Sequence, residues 1–196
     1  MNFLAHLYLA PQDEEIRLGC FIADAVKGSH YLDYSSKTQE GILLHRRQDS
    51  YTDNHLAIRE SVIALRPAFR LYAGVVIDIY NDHFLAKNWE RYSSVSLSDF
   101  AMESYRLIDK YEDILPEKTK EVFSYMKRNN WLENYKDIPF LKKVFLGMSR
   151  RTPFESNMEQ AVTELEKQYD YLESQFHLFF ADCIKTFRSS DKTELS

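Results

Sequence analysis

The fold class is decided by residues 69–89, FRLYAGVVIDIYNDHFLAKNW. A helix through this stretch is apolar over most of its circumference, which is expected for a helix at the centre of a fold. Asp78 and Asp82 nevertheless fall within one of its apolar stripes. Burying two carboxylates one turn apart costs on the order of several kcal/mol unless a cation or hydrogen-bond donors compensate. The stretch therefore predicts a central helix that carries a polar site.

Helical patterns continue on both sides of this stretch. The chain has 196 residues but only 5 Gly and 5 Pro, so few residues are available to break it into hairpins. Apolar residues recur at helical spacing, and we predict helices over 13–27, 36–55, 57–65, 68–89, 99–114, 116–129, 139–148 and 156–187. We expect an all-α, single-domain helical bundle over 1–188 and a disordered tail over 189–196.

Composition argues against several classes of protein. The formal net charge is -5, which does not favour a chain that wraps nucleic acid. No apolar run approaches the roughly 20 residues that cross a bilayer, and residues 1–10 lack the basic start of a signal peptide. Cys20 and Cys183 lie far apart among apolar neighbours, which is typical of buried free thiols in a reducing compartment. We expect a cytoplasmic protein with no nucleic-acid or membrane partner, and its oligomeric state stays open.

Polar side chains also interrupt apolar patterns elsewhere in the chain. His45, Asp49 and Asp53 share one helical face at the spacing of successive turns, and His55 follows near the end of that helix. Asp24 lies on a mainly apolar stripe in the same way. The full set comprises His6, Asp24, His45, Asp49, Asp53, His55, Asp78, Asp82 and His83. Imidazoles and carboxylates together suit Mg²⁺, Mn²⁺ or Fe better than they suit a thiolate zinc site.

Structural roles are open for some of these residues. A single histidine such as His6 is more often a hydrogen-bonded core residue than a ligand. Asp24 could cap a turn or pair with Arg17. Asp78 and Asp82 favour a functional role, because no basic residue lies within one helical turn of either.

Two further groups have structural and functional interpretations of about equal weight. Asp49 and Asp53 follow Arg46 closely and could belong to a solvated charged face. Arg150 and Arg151 are adjacent at a predicted helix exit, where two guanidinium groups could hold a phosphate or simply face solvent.

Seven short strings carry a resemblance that runs in order over nearly the whole chain. They are MNFLAHL (1–7), LGCFIADAVKG (18–28), LHRRQDSYTDNH (44–55), YAGVVID (72–78), DHFLA (82–86), SRRT (149–152) and MEQAV (158–162). Together they resemble the acyl carrier protein phosphodiesterase family. The resemblance implies an all-helical hydrolase, distantly similar to the HD-domain metallophosphohydrolases. It also implies metal-dependent removal of 4′-phosphopantetheine from the serine of holo acyl carrier protein, with Mn²⁺ or Mg²⁺ as the ion.

The resemblance and the spacing together give a working mechanism, in which metal-activated water hydrolyses a phosphodiester. The predicted metal ligands are Asp24, His45, Asp49, Asp53, Asp78 and Asp82. The predicted catalytic residues are Asp24, His83 and His6, with His83 or His6 as the proton donor. The predicted substrate contacts are Arg46, His55, Arg150 and Arg151. An acidic carrier would be recognised through a restricted basic surface, since the chain as a whole is negative.

Two other functions stay open at this point. The same scaffold could serve a phosphohydrolase that acts on a nucleotide or a small phosphate ester. It could also be a non-catalytic helical module that holds a partner through its aromatic-rich surface. The binding module predicts that neither Mn²⁺ nor Mg²⁺ binds.

Overall fold

The structure, a computed structural model, describes residues 1–188. These residues form helices joined by turns and short connections. The α-helices are α1 (Phe3–Leu9), α2 (Glu14–Ile22), α3 (Ser36–Asn54), α4 (Leu56–Phe69), α5 (Ala73–Lys87), α6 (Leu97–Lys110), α7 (Glu117–Arg128), α8 (Trp131–Asn134), α9 (Ile138–Ser149), α10 (Ala161–Lys167) and α11 (Tyr169–Phe187). None of these helices has the length and apolar character needed to cross a membrane. The predicted all-α, single-domain class is confirmed, whereas the likeness to HD domains stays a prediction. The tail predicted over 189–196 lies outside the described residues.

The predicted helix start after Pro67 is wrong. Pro67 lies inside the last turn of α4, which continues to Phe69. A proline removes one backbone hydrogen bond from a helix, and so close to the end the loss is tolerated for two more residues. The chain then breaks at Arg70, where φ is 50° and ψ is -121°. This is a conformation that a residue with a side chain rarely adopts, and it costs of order 1–3 kcal/mol.

Two other predicted helices are divided. The single helix predicted over 156–187 is wrong, because Gln168 leaves the helical conformation and separates α10 from α11. The helix predicted over 13–27 stops at the end of α2 and passes into a 3₁₀ turn, Ala23–Ala25. That turn places Asp24 at the protein surface, beside α3.

The fifth helix lies at the centre of the core, as its apolar circumference predicts. Its buried residues extend from Ala73 to Ala86 and include both Asp82 and His83. Helices α1, α4 and α11 pack around it. Phe84 of α5 packs on Phe176 of α11, with ring centroids 5.7 Å apart. Any polar group that α5 presents to α1 is therefore enclosed by apolar side chains.

Both cysteines are buried free thiols, as predicted. The thiol of Cys20 donates a hydrogen bond to the carbonyl oxygen of Gly41, 3.3 Å away. Burial raises the pKa of Cys20 to about 12, and burial likewise raises the pKa of Cys183 to about 12. Neither sulfur is available as a thiolate ligand or nucleophile near neutral pH.

Helices α2 and α3 approach each other at two glycines, Gly19 and Gly41. A Cβ atom added to Gly19 would lie 2.2 Å from the carbonyl oxygen of Thr38. A Cβ atom added to Gly41 would lie 2.1 Å from the carbonyl oxygen of Ile16. The obstacle is backbone in both cases, so only glycine permits this helix spacing.

We predict that Gly41→Ala lowers the free energy of unfolding by roughly 2–3 kcal/mol or more, because the two helices must separate to admit the methyl group. Gly74→Ala is the matched control, since a Cβ atom at that helical glycine meets nothing within 4 Å. The control should be neutral or stabilising by up to about 1 kcal/mol. Urea unfolding of both variants measures the difference, and equal midpoints would contradict the glycine contact.

Candidate functional site

One polar cluster forms where α1, α3 and the turn after α2 meet. His6 of α1 and His45 of α3 are buried, and their rings stack with centroids 3.7 Å apart and planes inclined by 14°. Asp49 follows His45 by one helical turn and lies against both rings. One Asp49 oxygen is 3.1 Å from His6 Nε2, and the other is 3.0 Å from His45 Nε2. Asp24 adds a further carboxylate, 3.4 Å from His45 Nε2.

The outer nitrogens of the two imidazoles are fixed by carbonyl oxygens. His45 Nδ1–H donates to the backbone carbonyl of Cys20 at 2.8 Å. His6 Nδ1–H donates to Oε1 of Gln48 at 2.7 Å. A carbonyl oxygen only accepts, so each neutral ring carries its proton on Nδ1 and its lone pair on Nε2. The two Nε2 atoms are buried, and neither forms a hydrogen bond of the required direction with the described residues.

Charge in the cluster is distributed unequally between the two rings. Burial disfavours the charged form of His45, but the contacts with Asp24 and Asp49 outweigh it and raise the pKa to about 9. Burial dominates at His6 and lowers its pKa to about 4. The same two imidazoles hold the pKa of the Asp49 carboxyl below its usual range, against the effect of burial. Near neutral pH the metal-free cluster thus has one imidazolium between two carboxylates.

These residues fit a divalent cation. One ligand-capable atom each of His6, His45 and Asp49 lies within 4.8 Å of the others. The two orphaned Nε2 atoms point to the same carboxylate, and their Nδ1 partners give the outer hydrogen bonds that orient histidine ligands in metal sites. Two imidazoles with carboxylates are a donor set for Mn²⁺, Mg²⁺ or Fe.

Asp78 lies next to the cluster but is held by a different cation. The α-ammonium group of Met1 donates a hydrogen bond to Asp78 Oδ1 at 2.7 Å and lies 4.0 Å from Asp49. Burial raises the pKa of Asp78, although the Met1 ammonium opposes this shift. Asp78 and the exposed Asp53 line one groove beside the cluster. Their predicted roles as metal ligands stay predictions.

Asp82 caps a helix. Its two oxygens accept hydrogen bonds from the backbone amides of Leu4 at 2.8 Å and Ala5 at 3.1 Å, in the first turn of α1. Burial raises the pKa of Asp82 to about 7, although these two hydrogen bonds favour the carboxylate. Since both oxygens are engaged with backbone donors, we leave Asp82 out of the proposed ligand set.

Two predicted histidines lie outside the cluster. His83 Nδ1–H donates to the carbonyl of Tyr135 at 2.8 Å, and its Nε2 atom accepts from the hydroxyl of Tyr169 at 3.0 Å. His55 lies at the start of α4, where its Nε2 atom is 3.5 Å from a carboxylate oxygen of Asp182. Both side chains have local structural partners, and no contact joins either of them to His6 or His45.

The predicted phosphate contacts are also dispersed. Arg46 donates to the carbonyls of Val26 at 2.9 Å and Gly28 at 3.1 Å, and so fastens the chain after Asp24 to α3. Arg151 donates from Nε to the backbone carbonyl of Gly147, near the end of α9. Arg150 is exposed at the end of α9. Roles in substrate binding stay predictions for these arginines.

Three contributors to the cluster were absent from the predicted site. Gln48 is fully buried, and its position three residues after His45, on the same side of α3, was a usable sequence signal. The Cys20 carbonyl and the Met1 amine belong to the backbone, so no side-chain pattern indicates them.

Comparison with known proteins shows close relatives over the whole length. The profile of the family described as "Acyl carrier protein phosphodiesterase" matches residues 1–183. A protein of that name from Serratia proteamaculans (strain 568) is 33% identical over 181 residues, which cover 92% of this chain and 94% of the relative. The namesake from Photorhabdus laumondii subsp. laumondii is 33% identical over 192 residues, 97% of each chain. No solved structure matches this chain significantly.

We predict that His45 makes the stability of the metal-free protein depend on pH. Its pKa is about 9 in the folded state and 6.5 unfolded, so its contribution is complete below about 6.5 and is lost as the pH rises through 9. Urea unfolding in a chelator should show the difference between wild type and His45→Gln shrinking by roughly 2–4 kcal/mol over that interval. His30→Gln, at an exposed histidine, should keep the wild-type profile. A constant difference between wild type and His45→Gln would contradict the assigned charge.

We predict that Asp82→Asn leaves Mn²⁺ affinity within about twofold of wild type, and that it costs less stability at pH 8 than at pH 5, because the raised pKa of Asp82 makes the buried carboxylate unfavourable at the higher pH. The amide can accept only one of the two backbone hydrogen bonds of α1. Asp137→Asn is the control, because this helix-capping aspartate makes no side-chain hydrogen bond to its helix. Chemical denaturation and calorimetry test both parts, and loss of Mn²⁺ binding in Asp82→Asn would assign it to the metal.

Proposed function

The chain belongs to the acyl carrier protein phosphodiesterase family, and we propose that it is a metal-dependent enzyme that removes 4′-phosphopantetheine from holo acyl carrier protein. Its family supports the phosphodiesterase activity on acyl carrier protein. The convergence of His6 Nε2 and His45 Nε2 on Asp49 supports the metal dependence. Neutral His6 turns its buried Nε2 lone pair toward an Asp49 oxygen and has no donor there among the described residues, which a purely structural cluster would have avoided.

The ligand atoms in this proposal are Nε2 of His6, Nε2 of His45 and the carboxylate of Asp49, with Asp24 at the exposed edge. When bound, a divalent cation supplies Lewis acidity, which activates water and neutralises charge on the phosphoryl oxygens. Gln48 and the Cys20 carbonyl keep both rings in the tautomer that such binding requires. The stacked rings exclude solvent from the inner side of the site.

In this proposal, Asp78 donates the proton to the leaving group. The water oxygen bonds to phosphorus, the bond between phosphorus and the carrier serine oxygen breaks, and that oxygen takes a proton. His83 has both ring nitrogens in hydrogen bonds, and His6 Nε2 is assigned to the ion, whereas Asp78 Oδ2 has no partner among the described residues. A carboxyl with a raised pKa at the edge of a groove is suited to give that proton.

Mass spectrometry of the carrier tests the reaction directly. Purified protein with Mn²⁺ should convert holo carrier protein to the apo form, with release of phosphopantetheine, and a chelator should stop the conversion. An unchanged carrier mass with cleavage of small phosphodiesters would replace the proposal with a small-ester hydrolase. Full conversion in the chelator would overturn the metal dependence.

We predict that Asp49→Asn abolishes measurable Mn²⁺ binding and lowers kcat by about 10²–10⁴-fold. Gln48→Met should lower Mn²⁺ affinity about 10–100-fold, because His6 loses the acceptor that fixes its ring. Asp33→Asn, at an exposed aspartate far along the chain from both, should change neither quantity. Calorimetric titration with Mn²⁺ and initial rates give the two readouts, and normal Mn²⁺ binding by Asp49→Asn would contradict the site.

A further inference from the structure

A groove with a volume of about 880 Å³ runs along the outer side of α4 and the start of α5. The residues of interest in its lining are Arg59, Ile63, Arg66, Arg70, Leu71 and Asp78. We refer to it as the α4 groove. No sequence pattern predicted this groove. Of its lining residues, only Asp53 and Asp78 were among the predicted site residues.

Three arginines give the α4 groove its charge. Arg59 and Arg66 are seven residues apart, so they project from one side of α4, and Arg70 lines the same groove just beyond the end of that helix. All three are exposed, and none forms an ion pair or a side-chain hydrogen bond within residues 1–188. Unpaired guanidinium groups in a row form a surface that attracts carboxylates or phosphates.

Large aliphatic side chains are exposed near these arginines. Ile63 is 63% exposed and Leu71 is 96% exposed, and Leu56, one heptad before Ile63, is 68% exposed. A helix that faces only water carries few such residues in one row. Arginine combined with exposed apolar side chains is characteristic of a protein–protein interface.

The backbone at Arg70 is a second sign that this surface is functional. Its φ of 50° favours glycine, yet the position carries an arginine whose side chain lines the groove. Backbone strain of this kind is concentrated at binding and catalytic sites, where the function of the side chain offsets the conformational free energy. The conformation directs Arg70 into the groove rather than onward along a helix.

The α4 groove ends at the candidate site. Asp53 and Asp78 line one end of it, and Asp78 shares the Met1 ammonium with Asp49. A protein lying on the arginines would therefore have its nearest side chains beside the histidine cluster.

We propose that the α4 groove is the docking surface for the acidic carrier protein, whose carboxylates would lie along Arg59, Arg66 and Arg70. This inference rests on the proposed function for the identity of the partner. Charge complementarity carries the assignment, because the groove concentrates unpaired positive charge on a chain whose net charge is -5. The exposed Ile63 and Leu71 would be covered by apolar side chains of the partner.

Calorimetric affinity for holo carrier protein tests the docking surface, with Mn²⁺ omitted so that binding is measured without turnover. The double variant R59Q/R66Q should bind the carrier at least about tenfold more weakly than wild type, with an unchanged melting temperature. R106Q is the matched control, because Arg106 is exposed and unpaired on α6, away from the groove. It should keep wild-type affinity. Steady-state assays of the double variant should show a raised KM for the carrier and a smaller loss on a soluble phosphodiester.

The variant R70G distinguishes a role of Arg70 in binding from a role in stability. Glycine removes the backbone strain, so this variant should melt at or above the wild-type temperature while it binds the carrier more weakly. A merely structural Arg70 would give a lower melting temperature instead.

Three results would overturn the docking surface: wild type that does not bind the carrier, R59Q/R66Q with wild-type affinity, or R106Q with an equal loss. Self-association that disappears in R59Q/R66Q, with carrier binding intact, would assign the groove to a second copy of this chain. Carrier that binds through these arginines but keeps its mass in the presence of Mn²⁺ would overturn the proposed reaction and leave the docking surface standing.

Discussion

The close contact between α2 and α3 is the constraint on which the site depends. Gly19 and Gly41 let the two backbones approach to a distance that any side chain would prevent. Cys20 follows Gly19 directly. Its thiol donates a hydrogen bond to the Gly41 carbonyl, and its own carbonyl accepts one from Nδ1–H of His45. A wider helix spacing would withdraw that carbonyl and free the imidazole to turn. The orientation of the His45 ring and the packing of these two helices are therefore linked in this fold.

Asp49, Asp82 and Asp78 have different roles because their surroundings differ. Asp49 faces two imidazoles and stays ionised, because they hold its pKa below the usual range. Asp82 is buried against the amides of Leu4 and Ala5, where it caps the start of α1 and fixes the backbone directly before His6. Asp78 lies between the two and shares the Met1 ammonium. The helix that carries Asp78 and Asp82 thus borders the cluster and holds the start of α1 beside it.

Sequence reasoning recovered the local features and missed those that depend on distant backbone. Helical periodicity was sufficient to place α5 in the core and to mark His45 and Asp49 as a pair. It could not show that Asp82 meets α1, because that contact joins residues 77 and 78 positions apart and uses only backbone amides. The break at Arg70 was equally hidden, since arginine has no preference for a positive φ. Long-range and backbone contacts are where pattern-based prediction fails here.

The inaccessible cysteines matter for the product of the proposed reaction. Phosphopantetheine ends in a free thiol, and thiols exchange readily with any exposed, ionised cysteine. Cys20 and Cys183 are both enclosed and stay protonated at physiological pH. The released arm therefore finds no sulfur on this protein with which to form a mixed disulfide. An enzyme built in this way is protected from covalent capture by its own product when the surroundings become oxidising.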